Sequence, residues 1–360
     1  MLDKTKQYWF IGIKGTGMAS LALIMHDLGF NVAGSDIDME TFTQKPLEDK
    51  GIVIKSFNRD NITPAQVIVK GNAFKEENPE VAAALEMKVP MHSYPDTVEE
   101  IIQQYTSIGI SGAHGKTSTT ALLSHVLTEA APTSYLIGDG EGRGVKDSRF
   151  FVYEADEYRR HFLAYHPDYQ IMTNIDFDHP DYFKDINDTQ SAFQSAADQT
   201  KKALFVWGDD PRLQKIETKI PKYTYGFKDS DDFQAYNVKK STDGTSFSVK
   251  AHGKEIGEFK THLFGDHNIM NSLAVIGVAL TEEVPMEDIQ KGTKEFASEF
   301  IEILRGVDKA YITPIFGSAR EKSGDISSED LTSQIPGSEV IDIANIADLT
   351  KNRNSVVVFM

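Results

Sequence analysis

The chain has 360 residues, more than one ordinary core holds, so two or three domains of about 100–200 residues each are expected. Apolar residues at 40% and charged residues at 25% exclude a disordered chain, and a net charge of −17 excludes gripping nucleic acid or an anionic membrane through bulk charge. With no cysteine, no apolar run near the ~20 residues of a membrane helix and no signal-peptide pattern, disulfides, thiol chemistry and membrane spans are excluded and a soluble, cytoplasmic protein is expected.

Residues 8–13 (Tyr-Trp-Phe-Ile-Gly-Ile) are an apolar, aromatic run predicted as a buried strand. Gly12, Gly15 and Gly17 follow, then Met18 to Leu28 shows helical apolar spacing closed by Gly29. Asn31–Gly34, ending in Ser35-Asp36, completes a βαβ unit. Gln66–Val69, followed by Gly71-Asn72, and Ser107–Ile110, preceded by a helix Thr97–Gln104, are further strands. Such alternation predicts an α/β fold whose parallel sheet is covered on both faces.

A second block starts near Thr106, where the strand runs into Gly112-Ala113-His114-Gly115-Lys116-Thr117 and a helix to about Leu127. Strands Phe150–Tyr153, Tyr169–Thr173 and Ala203–Trp207 follow, with helices between them. Residues 222–264 alternate like antiparallel strands, with turn signals at Asp243-Gly244 and Gly253. Helices from Asn268 to about Leu280 and over Met286–Phe296 close the block. From 297 to 360 helix and strand alternate again, at Ser298–Leu304, Ala310–Ile315, Ser328–Gln334, Val340–Ile343, Ala347–Leu349 and Val356–Phe359. Because Met360 falls inside a strand, this last block reads as an incomplete domain. The expected domains are therefore 1–105, 106–296 and 297–360.

The strongest local signal is Gly112-x-x-Gly115-Lys116-Thr117 between a strand and a helix. Glycines let backbone N–H groups turn toward phosphate oxygens, and the helix N-terminus adds partial positive charge. Lys116 supplies a full charge, and Thr117 offers a hydroxyl to Mg²⁺, with Ser118 next in line. Gly109 stands one position away from where the strict pattern puts its first glycine, so this is a shortened P-loop variant whose favoured ligand is a nucleoside triphosphate.

Two acidic groups end neighbouring strands: Glu154-Ala-Asp-Glu157 after Tyr153, and Asn174-Ile-Asp-Phe-Asp-His179 after Thr173. Ligands of open α/β sheets lie beyond the carboxyl ends of the strands, so these groups should meet the P-loop there. Glu154, first after its strand, is the best-placed Mg²⁺ carboxylate, while His179 is a softer donor than Mg²⁺ prefers. Arg159 and Arg160 either hold phosphate or carboxylate in bidentate contacts or face solvent. Gly12-x-x-Gly15-x-Gly17 with Asp36 approaches a dinucleotide fingerprint, but Ser20 stands where its last Gly or Ala belongs. Such a loop fits any diphosphate at a helix N-terminus, including that of a UDP-sugar.

Taken in order, Phe10-Ile-Gly-Ile-Lys-Gly-Thr-Gly-Met18, Gly34-Ser-Asp36, Gly112–Thr117, Glu154-Ala-Asp-Glu-Tyr158, Thr173–His179 and Asp266-His-Asn-Ile-Met-Asn271 resemble the Mur ligases. Arg159–Tyr165 and Phe316-Gly-Ser-Ala-Arg320 are similar to a Gram-positive subgroup. The resemblance implies three domains, Rossmann-like, P-loop ATPase with a small antiparallel sheet, and Rossmann-like, that bind a UDP-sugar, ATP and an amino acid. It implies ATP- and Mg²⁺-dependent joining of L-alanine to UDP-N-acetylmuramate. Lys116 would then contact the ATP phosphates within a loop of Gly112, Ala113, His114, Gly115, Thr117 and Ser118. Thr117, Glu154 and His179 would surround the metal, and Asn268 and Asn271 would face adenine. Gly15, Thr16, Gly17, Met18, Asp36, Asn72, Arg159 and Arg160 would bind the UDP-sugar. One departure stands out: Phe296 is followed at once by Ala297, which resembles a point well inside the family's last domain, so residues that would clasp alanine are missing. A murein-peptide-recycling ligase, a non-catalytic nucleotide- and UDP-sugar-binding protein and a NAD-dependent dehydrogenase are the competing readings.

Overall fold

The computed structural model describes residues 2–296, apart from 139, 242, 243 and 264, together with 311, 312 and 339–341. The first sheet uses β1 (Gln7–Ile11), β2 (Asn31–Asp36), β3 (Val53–Ser56), β4 (Gln66–Lys70) and β5 (Met91–Ser93). Its order is β3-β2-β1-β4-β5, parallel throughout. Helices α1 (Thr16–Asp27), α2 (Gln44–Asp49), α3 (Pro79–Glu86) and α4 (Tyr94–Ile102) join or flank these strands. Local chemistry starts the last two. Pro79 follows the cap Asn78, whose side chain accepts from Glu80 N and Val81 N, and Ser93 with Asp96 forms a capping box ahead of Pro95.

The second sheet is one continuous surface of ten strands. Six parallel strands form its centre: β6 (Thr106–Ser111), β7 (Thr133–Leu136), β9 (Phe150–Glu154), β10 (Tyr169–Met172), β11 (Ala203–Trp207) and β12 (Lys222–Gly226), with β8 (Gly142–Arg143) at one edge. The meander β13 (Phe233–Ser241), β14 (Gly244–Ala251) and β15 (Lys254–Thr261) lies at the other, giving the order β15-β14-β13-β12-β11-β10-β6-β9-β7-β8. Helices α5 (Lys116–Ala130), α6 (Ile186–Gln199), α7 (Asp266–Thr281) and α8 (Met286–Glu295) cover it. The antiparallel stretch expected over 222–264 is shorter than its alternation suggests. β12 runs parallel to β11, and parallel β13 joins it through only Tyr225↔Phe233 and Gly226↔Gln234, so the antiparallel strands extend the main sheet instead of forming a separate one. Asp243 of the expected turn lies outside the described residues.

In the last block, Tyr311–Ile312 (β16) pairs in parallel with Glu339–Val340 (β17), at two of the predicted strands. The other elements predicted there lie outside the described residues. Among the described residues no helix is long and apolar enough to cross a membrane.

One hydrophobic core spans both sheets. It joins Phe10, Leu21 and Ile24 with Phe151, Tyr153, Phe193 and Leu204. A glycine run makes part of that junction. β-carbons placed at Gly142 and Gly144 would meet the backbone carbonyls of Ser20 (2.6 Å) and Ile24, and one at Gly140 would lie 3.3 Å from Thr16 Cγ2. The segment around β8 thus lies flush along α1.

Glu80 is fully buried in the first sheet's flank. Its carboxylate accepts from Trp9 Nε1 (3.1 Å), Ser35 Oγ, Asn58 N (3.1 Å) and Asn61 Nδ2 (2.7 Å), tying α3 to β1, β2 and the 58–61 turn. Glu80→Ala strands those donors, and urea unfolding is expected to show a loss of about 3 kcal/mol, with Glu80→Gln recovering part of it.

Candidate active site

β6 delivers the P-loop to the carboxyl edge of the second sheet. Gly112 and Gly115 have φ of +143° and +83°, conformations that suit glycine. A side chain at Gly112 would overlap Thr173 Oγ1. The loop is braced from β10's end: Thr173 Oγ1 donates to His114 O (2.6 Å), His114 N donates to Asn174 Oδ1 (3.1 Å), and Asn174 Nδ2 donates to His114 O (2.9 Å). Lys116 Nζ donates to Gly112 O (2.6 Å) and pairs with Glu157 at 3.0 Å. Thr117 and Ser118 are exposed in the first turn of α5. A β-carbon at Gly115 would lie 3.2 Å from Asn271 Oδ1, so the start of α7 borders the loop, and Asn271 Nδ2 donates to Asn268 Oδ1 (3.3 Å).

Sequence order favours Glu154 as the carboxylate nearest the loop, but Glu157 holds that place. β9 continues through Glu154, which pairs with Ile110, and the turn after it swings Glu157 back over Lys116. Glu157 is only 2% exposed, and its Oε1 lies 4.0 Å from His179 Nε2. Asp156, Glu157 and His179 each offer a ligand atom, all within 4.8 Å of one another, a group that does not include Glu154. Glu154 instead lies against Gly138, and its Oε1 is buried without a hydrogen-bond partner among the described residues. The backbone around this group is unusual, with φ of +50°, +58° and +55° at Arg159, Arg160 and His179.

Burial raises the Glu157 carboxyl above its ordinary value of 4.5, with the Lys116 ammonium opposing. A raised carboxyl favours the fold most below its unfolded value and loses that contribution as pH climbs through the folded one. Relative to wild type, Glu157→Gln should therefore gain stability as pH rises from about 4.5. Urea midpoints for the metal-free proteins at pH 5 and 7.5 check this; parallel pH dependence in the two would refute it.

The first glycine loop sits at the carboxyl end of β1. Lys14 is 6% exposed, and its Nζ donates to Ile37 O (2.6 Å), Met39 O (2.7 Å) and Gln44 Oε1 (3.2 Å), holding the 37–44 loop that displays Ile37, Met39 and Phe42 to solvent. Asp36 accepts from Lys14 N (2.7 Å) and Ile37 N (2.8 Å). Gly15, Thr16 and Gly17 open α1, while Met18 is buried in the core and offers the loop only its backbone. Asn72 is exposed beyond the end of β4. Arg160 is ion-paired with Asp188 at 2.6 Å, whereas Arg159 is exposed, its guanidinium 5.2 Å from the Tyr158 ring centre. Tyr94, in van der Waals reach of Gly17, has its hydroxyl acidity weakened by burial and then by the charges of Asp156 and Glu154.

Residues 110–279 match the Mur ligase middle domain, and residues 7–106 match the Mur ligase family, catalytic domain. UDP-N-acetylmuramate--L-alanine ligase of Lactobacillus acidophilus is 64% identical, over all of this chain and 96% of its own. The chain belongs to the Mur ligase family. A second relative, UDP-N-acetylmuramate--L-alanine ligase of Lactiplantibacillus plantarum, is 46% identical over the same shares. Among solved structures, UDP-N-acetylmuramate:L-alanyl-gamma-D-glutamyl-meso-diaminopimelate ligase from Neisseria meningitides superposes with a TM-score of 0.71 at 30% identity, covering 80% of this chain and 97% of that one. UDP-N-acetylmuramate-alanine ligase from Thermotoga maritima matches in fold at 22% identity, TM-score 0.71, covering 98% and 93%.

The Lactobacillus acidophilus alignment runs over 421 positions and uses all 360 residues, so at least 61 of its positions (421 − 360) face no residue of this Mur ligase. The sequence itself places a break of this kind between Phe296 and Ala297. The site residues that sequence reasoning undervalued are Glu157, Asp156 and Asn174. All three stand inside the quoted motifs, so the signal was present, and what was missing was the turn that selects among neighbouring acids.

Proposed function

We propose that this Mur ligase joins L-alanine to the carboxylate of UDP-N-acetylmuramate at the expense of ATP, in the cytoplasm, as a step of peptidoglycan precursor synthesis. Residues 1–105 would bind the UDP-sugar and 106–296 ATP, with 297–360 the remnant of an amino-acid-binding domain. The observation that carries the reading is the convergence of the P-loop lysine, two strand-end acids and His179 on one sheet edge, in a chain 64% identical to a ligase of that name.

The sugar-borne carboxylate attacks the γ-phosphorus in line, giving an acyl phosphate and ADP. The alanine amine then attacks the acyl carbon, an amide forms, and phosphate and a proton leave. Lys116 neutralises charge on the transferred phosphoryl group, and backbone N–H groups of the loop and of the first turn of α5, through Ser118, cradle the nucleotide. Asn268 and Asn271 border its base. Gly15, Thr16, Gly17 and the backbone of Met18 take the diphosphate at the start of α1, with Asp36 fixing the loop and the exposed Asn72 and Arg159 as further contacts for the UDP-sugar. Arg160, paired with Asp188, acts from a distance.

The donor set fits Mg²⁺: Asp156, Glu157 and His179 stand together and offer two hard carboxylates and an imidazole, while Thr117, exposed at the start of α5, and Glu154, whose Oε1 is buried without a hydrogen-bond partner among the described residues, would be the further oxygen donors. When bound, the ion would offset phosphate charge.

Purified protein supplied with UDP-N-acetylmuramate, ATP, Mg²⁺ and L-alanine should yield the alanyl amide by mass spectrometry with one ADP per product. Binding of ATP and UDP-N-acetylmuramate with release of neither ADP nor phosphate would instead support the non-catalytic binding protein. Amide formed only when a tripeptide replaces alanine would support the recycling ligase.

A further inference from the structure

His179 carries the imidazole of the acidic group, and no carboxylate among the described residues lies within hydrogen-bond distance of its ring. Metal-bound histidines are normally aimed by a hydrogen bond from the second ring nitrogen to a carboxylate, carbonyl or water. The carboxylate oxygens nearest this ring are Asp178 Oδ2 at 3.8 Å and Glu157 Oε1 at 4.0 Å, both too far for a hydrogen bond. The residue also sits at φ +55°, a backbone state that needs outside support.

That support comes from Tyr158. Its ring lies against the imidazole, centroids 4.6 Å apart and planes 40° from each other. Its hydroxyl donates to Asp181 Oδ2 (2.8 Å), two residues beyond His179. Tyr158 N donates to Asp156 Oδ1 (3.0 Å), and Tyr182 meets the Tyr158 ring edge-on at 6.2 Å. Tyr182 N and Phe183 N both donate to His179 O, so Asp181 and Tyr182 belong to the same tight turn as the histidine. Tyr158 therefore clips the turn after β10 to the turn after β9 at the point where Glu157 and His179 face each other.

We propose that Tyr158 is a positioning residue that holds the His179 imidazole for the cation by ring contact. The inference rests on the proposed cation site, and it assigns the larger share of the work to the aromatic ring and the smaller to the hydroxyl. Replacing the ring should then loosen the cation, while a phenyl ring should keep most of the affinity. A residue acting only in folding would not separate those two substitutions in that order at equal stability.

Mn²⁺ binding to the full chain in the presence of ADP, followed by electron paramagnetic resonance, tests this without recourse to turnover. Wild type should bind Mn²⁺, Tyr158→Leu should bind it about 10–100-fold more weakly, and Tyr158→Phe should stay within a few-fold of wild type. Thermal midpoints in EDTA identify any variant whose fold is lost, and Tyr158→Met then serves as a second ring-free variant. Wild-type affinity in a folded ring-free variant, or a Phe variant as weak as Leu, would overturn the proposal. Failure of wild type to bind Mn²⁺ would remove the cation site itself and this role with it, an outcome visible before any variant is made.

Discussion

Replacing Lys116 with alanine is expected to lower amide-forming turnover by about three orders of magnitude or more, equivalent to roughly 4 kcal/mol of transition-state stabilisation. Little else can do its work: phosphoryl transfer relies on placement and charge neutralisation, and Lys116 is the cation that the P-loop carries. The same substitution has a second cost. Glu157, 2% exposed and 3.0 Å from the ammonium, would be left buried without its ion pair, a loss of about 3 kcal/mol in stability. The double variant Lys116→Met with Glu157→Gln separates the two effects, because a neutral pair needs no compensation. Its urea midpoint should return close to wild type while turnover stays at the Lys116→Ala level. Near-normal turnover in Lys116→Ala, measured as ADP and amide release, would remove the lysine from the chemistry. Recovery of turnover in the double variant would show that the loss came only from stranding Glu157.

What could be read from the sequence was local. Strand-turn-helix at 106–127 is written in a short apolar run, glycines at positions that need positive φ, and a helix that begins at the lysine. Strand ends at 153 and 173 correctly brought acids and His179 to the P-loop's edge, since parallel strands share their carboxyl ends. The ranking of those acids was not legible. Whether Glu154 or Glu157 faces Lys116 depends on β9 gaining one more pair with Ile110, a partner 44 positions away. Lys14 shows the converse. Nothing in its sequence position, between Gly12 and Gly15, tells that its ammonium is occupied by carbonyls of a loop 23 and 25 residues downstream. Alternation over 222–264 groups β12 with the antiparallel strands, because it reports a half-exposed face and is silent on direction. Parallel pairing with β11 is fixed by a crossover through residues 208–221.

Valine at Gly142 or Gly144 is expected to cost about 3 kcal/mol each and to uncouple the two sheets. Residues 138–144 carry glycine at every second position, a pattern that in isolation suggests a flexible linker. Its meaning comes from α1. Two residues of strand advance about 6.6 Å and four residues of helix about 6.0 Å, so a strand laid along a helix meets it at i, i+4 and i+8 through alternate positions. Ser20 at Gly142 and Ile24 at Gly144 follow that rule, and the bend before β8 brings Gly140 against Phe42 and Thr16. At Gly142 and Gly144 φ lies outside the left-handed region, so what demands glycine is space against helix carbonyls, which cannot swing aside like a side chain. The other end of the run reaches Glu154 through Gly138, so one strap touches both the helix that opens at the first glycine loop and the carboxylate behind the P-loop. Prying it off α1 should weaken UDP-sugar binding more than ATP binding, since the P-loop is braced separately by Thr173 and Asn174. The chain's two tryptophans make the uncoupling visible, with Trp9 in β1 and Trp207 at the end of β11. In single-tryptophan wild-type backgrounds the two urea transitions should coincide, because one core joins the sheets. With Gly144→Val they should separate, the Trp9 transition moving to lower urea. Coincident, unshifted transitions in the valine variants would mean that the strap merely rests on α1 and holds nothing together.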